Sequence, residues 1–310
     1  MNAPETIRPR RSVLYVPGAN LKALAKAASL PADGLIFDLE DAVLPEAKLA
    51  AQNAWFAMAD LQLAAQRNDK VPAIYDEMTK KFGTDDVLLG RLASWYKSQK
   101  RWEEARATYR RYLNAADGLG QVAYSYREES KPDEAIPVYR QLVGQDPERK
   151  VQWKNEIATT YRGARKFKEA IDVYHELEAD DLANIGKWRW EIACTYRDAG
   201  QLAEAIGYFR QCDNLPENLK QMAACHRQLK QYKEAVGLYN QVVAAYPDSA
   251  AWALLQSGYT REEAGESEPA IKIFQSVCKR FPKDQYASVA HAHLQTKYKI
   301  SVTLGGAKAE

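Results

Sequence analysis

Residues 158–177 read ATTYRGARKFKEAIDVYHEL, and the spacing of small and aromatic residues in this segment predicts the architecture of most of the chain. In its first half Ala158 is followed three residues later by Tyr161, and in its second half Ala170 is followed four residues later by Tyr174. Apolar residues after Ala170 recur at helical spacing, which is typical of an amphipathic helix. The stretch therefore predicts two helices joined by a turn, in which a small residue allows close approach and a ring fills the space beside it.

Both halves of this pattern recur along the chain. The second half occurs seven times, as Val71/Tyr75, Ala105/Tyr109, Ala135/Tyr139, Ala170/Tyr174, Ala205/Phe209, Ala235/Tyr239 and Ala270/Phe274. The steps between neighbouring pairs are 34, 30, 35, 35, 30 and 35 residues. The first half begins at Ala93, Ala123, Ala158, Ala193 and Ala223. A near-constant period of this length indicates that one helix-turn-helix unit is repeated.

Residues ~52–298 resemble tetratricopeptide repeats (TPRs). The small residue and Tyr of that family's first helix, and the Ala and aromatic residue of its second helix, have matches here. Its closing proline is matched by Pro147, Pro247 and Pro282. The resemblance implies an all-α, TPR-like helix-turn-helix solenoid that winds as a right-handed superhelix. In the family, the first helix of each pair lines the concave wall.

The pattern also predicts boundaries. We expect about seven repeats over residues 51–298, with a closing helix from Tyr286 to Tyr298, and a flexible tail over residues 299–310. The terminal repeats depart from the family pattern at Gln62, Gly258 and Arg261, which stand in place of Tyr, Ala and Tyr. Such departures are typical of terminal repeats, because these face water.

The first fifty residues do not follow the period. Residues 10–48 read RRSVLYVPGANLKALAKAASLPADGLIFDLEDAVLPEAK. Ser12–Val16 and Gly34–Leu39 are short apolar runs that predict strands, and Leu21–Leu30 between them predicts a helix. The segment is therefore predicted to be a β-α-β unit like those that open a parallel barrel.

This segment resembles the N-terminus of the citrate lyase beta-subunit-like (HpcH/HpaI aldolase) family over residues ~10–50. The matching residues are Arg11-Ser12, Val16-Pro17-Gly18 and Asp38-Leu39-Glu40-Asp41-Ala42-Val43. The resemblance implies a (β/α)8 barrel in which Mg²⁺ assists carbon–carbon cleavage, with Asp38, Glu40 and Asp41 at the mouth. Two strands of eight cannot close a barrel, so we expect an incomplete and inactive lyase segment. The sequence leaves open a docked cap, partial disorder or a fusion near Ala50.

A cation follows the ring of the first helix in five successive repeats. This basic ladder consists of Lys97, Arg127, Arg162, Arg197 and Arg227. In one interpretation the ladder faces the groove and binds an acidic or extended peptide through charge-assisted hydrogen bonds. In the other, the cations support helix C-termini, worth about 0.3–1 kcal/mol each, or pair with acids of neighbouring repeats such as Glu156 or Glu191.

The composition of the chain argues against several classes of function. The 310 residues carry a formal net charge of +2, and acids such as Glu128 and Asp198 stand beside the ladder, so nucleic-acid binding is not expected. The four cysteines have no metal-ligand spacing. No apolar run is long enough for a signal peptide or a membrane helix, so a cytoplasmic location is predicted.

These observations predict a non-catalytic scaffold that binds a protein or acidic peptide and needs no cofactor or metal. The alternative function is that of a Mg²⁺-dependent carbon–carbon lyase, carried by the N-terminal segment alone.

Overall fold

The computed structural model of the chain describes residues 13–17, 34–38 and 45–305. Within them the architecture is a series of antiparallel helix pairs, preceded by one pair of strands. The chain forms two compact units, residues 1–129 and 130–310.

The first unit begins with the two strands. Strand β1 (Val13–Pro17) pairs in parallel with β2 (Gly34–Asp38), in a register that joins Val13 to Gly34 and Pro17 to Asp38. Both strands lie within one residue of the predicted positions. Parallel pairing requires a crossover connection between the strands, and residues 18–33, which join them, lie outside the described residues. The predicted helix Leu21–Leu30 lies outside the described residues.

Helices make up the rest of the first unit. They are α1 (Pro45–Ala64), α2 (Val71–Phe82), α3 (Asp86–Ser98), α4 (Trp102–Tyr109) and α5 (Ala115–Glu128). Helix α3 begins where the Asp85 carboxylate accepts a hydrogen bond from the Leu88 amide at 2.7 Å, which satisfies one of the free amides of the first turn.

The second unit continues the series. Its helices are α6 (Pro132–Gln145), α7 (Lys150–Gly163), α8 (Phe167–Asp180), α9 (Ile185–Asp198), α10 (Leu202–Phe209), α11 (Glu217–Gln228), α12 (Tyr232–Ala245), α13 (Pro247–Glu263), α14 (Ser267–Arg280) and α15 (Gln285–His293). A π-helical turn, Leu294–Tyr298, completes the predicted closing helix.

The turns inside the helix pairs repeat with the period of the sequence. Each contains a residue with positive φ, at Gln66, Lys100, Ser130, Arg165, Gly200, Lys230 and Gly265. The steps between these residues are again 34, 30, 35, 35, 30 and 35. A left-handed residue at the C-terminus of the first helix reverses the chain, and only two of the seven are glycines.

The two 30-residue steps have a local cause. Helices α4 and α10 each contain 8 residues, whereas α8 and α12 each contain 14. The short repeats therefore lose more than one turn from the second helix and keep the first helix.

The recurring alanine and aromatic residues of the repeats form the hydrophobic core. The anchor residues Ala105, Ala170, Ala205, Ala235 and Ala270 are all fully buried. In the second unit, Tyr174 packs with Ile171 and Leu177 of its own helix and with Trp188 of the next repeat. Burying each such ring contributes roughly 1.5–3 kcal/mol. Stability therefore comes from contacts between neighbouring repeats, as expected for a repeat array.

The C-terminal tail differs from the prediction. Ile300 and Val302 pack against the core formed by Phe274, Val277 and their neighbours. The Gly305 amide donates a hydrogen bond to the Cys278 carbonyl at 3.2 Å. These two apolar side chains thus hold the first part of the predicted tail against the last repeat, whereas residues 303–305 are exposed. Residues 306–310 of the predicted tail lie outside the described residues.

Candidate partner-binding surface

The basic ladder lies in the last turns of the first helices. Lys97 and Arg127 belong to α3 and α5 of the first unit. In the second unit, Arg162, Arg197 and Arg227 belong to α7, α9 and α11. The three cations of the second unit therefore occupy equivalent positions on the first helices of successive repeats.

Arg162 and Arg227 make the same pair of contacts. Arg162 donates from Nε to Asp198 at 2.9 Å and from Nη1 to Glu191 at 3.0 Å. Arg227 donates from Nε to Glu263 at 2.8 Å and from Nη1 to Gln256 at 3.1 Å. In both cases the acceptors lie 36 and 29 residues further along the chain. Each arginine thus links its helix to the first helix of the next repeat.

The other ladder residues also have close partners. Arg197 donates to Gln221 at 2.7 Å and to Asp198 at 3.0 Å. In the first unit, the Lys97 ammonium lies 2.7 Å from Glu128 and 5.6 Å from the centre of the Tyr124 ring. The Arg127 guanidinium lies 5.7 Å from the centre of that ring.

These contacts keep both partners charged. Partial burial by itself disfavours the Arg162 cation, but hydrogen bonding to Asp198 outweighs it and raises the pKa of Arg162. Burial would raise the pKa of Asp198, yet Arg162 and Arg197 hold it below its usual value. The ladder makes the contacts that the helix-support interpretation expects, including the one to Glu191. Peptide binding by the same side chains stays a prediction.

A pocket of about 370 Å³ lies beside the ladder in the second unit. Helices α11 and α13 form its sides, and we call it the α11–α13 pocket. Its lining includes Lys220, Gln221, Ala224, Arg227, Trp252 and Gln256. The Lys220 ammonium lies 5.1 Å from the centre of the Trp252 ring. The pocket therefore combines an aromatic wall with amide and cationic groups.

The charges of this pocket are balanced. Lys220 Nζ lies 3.2 Å from Glu217 Oε2, and Arg227 Nη2 lies 2.5 Å from Glu263 Oε1. Arg227 alone among the pocket residues was predicted from the sequence as a binding residue. Lys220, Trp252 and Gln256 could have been found from their positions on successive first helices, because residues of adjacent repeats line the space between them.

Metal binding and membrane insertion find no support in the described part of the chain. Within it, no group of three or more His, Cys, Asp or Glu side chains could hold a metal ion. His293 instead lies 2.8 Å from Glu262. Glu40 and Asp41 lie outside the described residues, as does the Asp38 side chain. None of the described helices is both long and apolar enough to cross a membrane.

Family models match the helical pairs at four places. Tetratricopeptide repeat models cover residues 88–123, 189–219, 221–249 and 252–284. The chain contains tetratricopeptide repeats. The C-terminal part of a TPR repeat-containing protein from Cytophaga hutchinsonii has a similar fold, with a TM-score of 0.51. It is 16% identical, and the match covers 76% of this chain and 98% of that one.

The N-terminal segment matches a different family. The HpcH/HpaI aldolase/citrate lyase model covers residues 11–87 and so extends past residue 50, the end of the resemblance seen in the sequence. A (3S)-malyl-CoA thioesterase of Cereibacter sphaeroides is 56% identical over 45 residues, which are 14% of this chain and 16% of that protein. Citrate lyase subunit beta of Escherichia coli is 36% identical over 81 residues, 26% of each chain.

These matches span only a small part of the lyase relatives. Between residues 45 and 87, where the family match continues, the chain forms helices α1 and α2 and enters α3. The described residues thus contain two paired strands and a helical repeat array. The N-terminal segment is a lyase-like fragment attached to TPR repeats.

Proposed function

We propose that this chain is a non-catalytic, cytoplasmic scaffold that binds a protein or peptide partner on the first helices of its repeats. We assign this role to residues 51–298. The observation that carries the proposal is the α11–α13 pocket, which lies between successive first helices and is lined by Trp252, Lys220 and glutamine side chains. Aromatic side chains and amide groups are features that recognise peptide side chains and backbone.

An extended, acidic peptide is the partner class that we propose. Arg162, Arg197 and Arg227 retain side-chain exposures of 23%, 29% and 25%. A guanidinium carries five N–H groups, so a ladder arginine can donate hydrogen bonds to a peptide carboxylate while keeping its internal partner. Asp198 and Glu263 already neutralise much of the charge of Arg162 and Arg227, so these internal acids weaken the attraction of a peptide carboxylate without being displaced. Affinity should therefore depend on salt.

Selection from a library of random peptides tests this proposal. Peptides of 12 residues displayed on phage would be selected on the full chain and then measured by fluorescence anisotropy. We expect enrichment in Asp and Glu, and a loss of binding of about tenfold, or 1.4 kcal/mol, on Lys220→Glu. The matched control is Lys233→Glu, a lysine outside the pocket lining. Equal binding by both variants, or selection of basic peptides, would contradict the proposal.

An activity assay tests the alternative function, that of a Mg²⁺-dependent lyase. The full chain would be incubated with Mg²⁺ and malyl-CoA, and release of free thiol or of a carbonyl product would be followed. We expect no turnover above that of an Asp38→Asn variant, because the fragment supplies two strands of a barrel. Turnover that disappears in Asp38→Asn would show that the chain is an enzyme.

A further inference from the structure

The two short repeats, one in each unit, contain corresponding loops. These loops follow the short helices α4 and α10, and their residue numbers differ by 100. Each loop opens with an amide-to-carbonyl hydrogen bond of 3.1 Å, from Tyr112 to Tyr109 and from Cys212 to Phe209. Each loop ends with a second such bond, from Gly118 to Asn114 and from Asn218 to Asn214. Positions 113 and 114 of the first unit can therefore be compared directly with positions 213 and 214 of the second.

In the first unit, a carboxylate of the chain itself binds this loop. Asp86, in the first turn of α3, accepts a hydrogen bond from the Leu113 amide at 2.6 Å through Oδ1. It accepts a second from the Asn114 amide at 3.2 Å through Oδ2. Hydrogen bonds to an ionised acceptor are stronger than those between neutral groups. Two adjacent amides of the loop thus form a carboxylate-binding site that Asp86 fills.

In the second unit, the two amides are present and the carboxylate is replaced. Gly186 stands at the position that corresponds to Asp86, and the corresponding amides are those of Asp213 and Asn214. Neither amide has a hydrogen-bond partner within the described part of the chain. Backbone N–H groups are strong donors that take a partner from the protein, from water or from a ligand. The second unit therefore keeps both donors of the site and lacks its acceptor.

A pocket of about 390 Å³ opens at this point, and we call it the Gly186 pocket. Its lining includes Gly186, Lys187, Trp190, Asp213 and Asn214. The Trp190 ring is partly exposed, and its centre lies 5.0 Å from that of Phe209 in an edge-to-face arrangement. Leu215, next to the two free amides, is exposed. The pocket thus combines hydrogen-bond donors and a cation with apolar surface.

We propose that the Gly186 pocket binds a carboxylate of a peptide, in the manner in which the first unit binds Asp86. The amides of Asp213 and Asn214 donate to the two carboxylate oxygens, and Lys187 adds a positive charge. Trp190 packs against the apolar group next to the carboxylate. The site shares no lining residue with the α11–α13 pocket. It therefore does not depend on the function proposed above.

The side chain of Asp213 opposes a carboxylate, and this gives a first test. The residue is exposed, so water and salt screen its charge. Asp213→Asn removes the charge and keeps the backbone donor, so binding of a peptide carboxylate should become about threefold stronger. A loss of binding in this variant would overturn the proposal, because it would mean that the Asp213 side chain binds a cationic group.

Titration of the full chain with short peptides tests the site directly. The probes are acetyl-Ala-Ala-Leu with a free C-terminus, the same peptide with an amidated C-terminus, and amidated acetyl-Ala-Asp-Leu. We expect the NMR signals of the Asp213 and Asn214 amides to shift with the peptides that carry a carboxylate. The tighter binder of those two identifies the source as a chain terminus or an acidic side chain. No shift with either, or equal shifts with the uncharged peptide, would contradict the proposal.

A variant that fills the site provides the matched comparison. Gly186→Asp introduces a carboxylate where the first unit has one, and a Cβ atom there would meet only Asp213 Oδ1, at an ordinary contact distance of 3.5 Å. It should weaken binding of the carboxylate peptides by about tenfold or more. Gly237→Asp, at an open and exposed position of α12, should leave binding unchanged. Equal binding by the two variants would overturn the proposal.

Amide hydrogen exchange tests the site even if Gly186→Asp fails to fold. In the unaltered chain, the amides of Leu113 and Asn114 should exchange about tenfold more slowly than those of Asp213 and Asn214, since only the first pair has an acceptor. An excess of carboxylate peptide should slow the second pair alone. Equal protection of both pairs without peptide would show that the donors of the second unit are already occupied, which contradicts the proposal.

Discussion

The Arg162 guanidinium and the Asp198 carboxylate join two successive repeats of the second unit, with Nη2 and Oδ2 2.5 Å apart. The residues are 36 positions apart in sequence, and both lie in the last turn of a first helix. Arg227 and Glu263 repeat the arrangement further along. The basic ladder thus already has a structural role, to which any ligand must adapt.

We expect Arg162→Ala to lower the free energy of unfolding by about 1 kcal/mol. The side chain is partly exposed, so solvent screening keeps the loss well below that of a buried pair. Urea denaturation followed by circular dichroism measures it. Arg210→Ala, which removes an exposed arginine from the same unit, serves as the control, with a loss below ~0.5 kcal/mol. Indistinguishable midpoints for the two variants would show that the link contributes nothing.

Two glycines in the interiors of helices should respond oppositely to alanine. A Cβ atom at Gly258 would lie 2.5 Å from the buried Phe274 ring, whereas nothing lies within 4 Å of one at Gly237. We expect Gly258→Ala to destabilise by about 1–3 kcal/mol through overpacking. Gly237→Ala should stabilise by about 0.5–1 kcal/mol through helix propensity. Thermal melting of both variants checks the signs, and equal shifts would contradict the packing at Phe274.

The packing of the closing helix against α13 should become less stable in acid, because Glu262 of α13 contacts His293, Lys297 and Tyr298. Its side chain is 8% exposed and accepts hydrogen bonds from His293 at 2.8 Å, from Lys297 at 3.1 Å and from Tyr298. Burial alone would raise the pKa of Glu262, but these three partners outweigh it and hold the pKa below its ordinary value. The unfolded state then binds the proton more readily, so the contribution is full above a pH of about 4.3 and is lost as pH falls through the folded pKa.

Stability measured against pH tests this assignment. Glu262→Gln should cost about 2 kcal/mol at pH 7, in line with hydrogen bonds to a charged group, and the difference from the unaltered chain should shrink below pH ~4. Glu268→Gln, at an exposed position in the next helix, should show a small difference at every pH. A Glu262→Gln penalty that stays constant down to pH ~3 would be inconsistent with the depressed pKa.

The four cysteines should be unreactive in the folded chain. Cys194, Cys212, Cys225 and Cys278 are all buried, and burial raises the pKa of Cys212 and of Cys225 to about 11. Since the thiolate is the reactive form, iodoacetamide at pH 8 should label all four at least 100-fold more slowly than a cysteine peptide. Mass spectrometry after timed quenching checks this, with urea-unfolded protein as the positive control. Rapid labelling of any one site in the native chain would reveal local opening.

The helix pairs could be predicted from the sequence because their signal is local and repeated. Pairs such as Ala170 and Tyr174 recur in register, so many weak helix signals combine into one architecture. Both strands lie within one residue of their predicted positions, because short apolar runs bounded by Pro and Gly are local signals as well. The packing of Ile300 and Val302 in the predicted tail could not be predicted in this way, because their partners, such as Phe274, come together only when the last repeat forms.

The period, the helix pairs and the positions of the ladder cations follow from the amino-acid sequence alone. These features depend on residues that lie within a few helical turns of one another, so the spacing of residue types is enough to predict them. The three-dimensional structure was needed to show that Arg162 contacts both Asp198 and Glu191 and that Trp252 and Lys220 line one pocket. Those relationships join residues of different helices, whose meeting depends on how each repeat packs against the next.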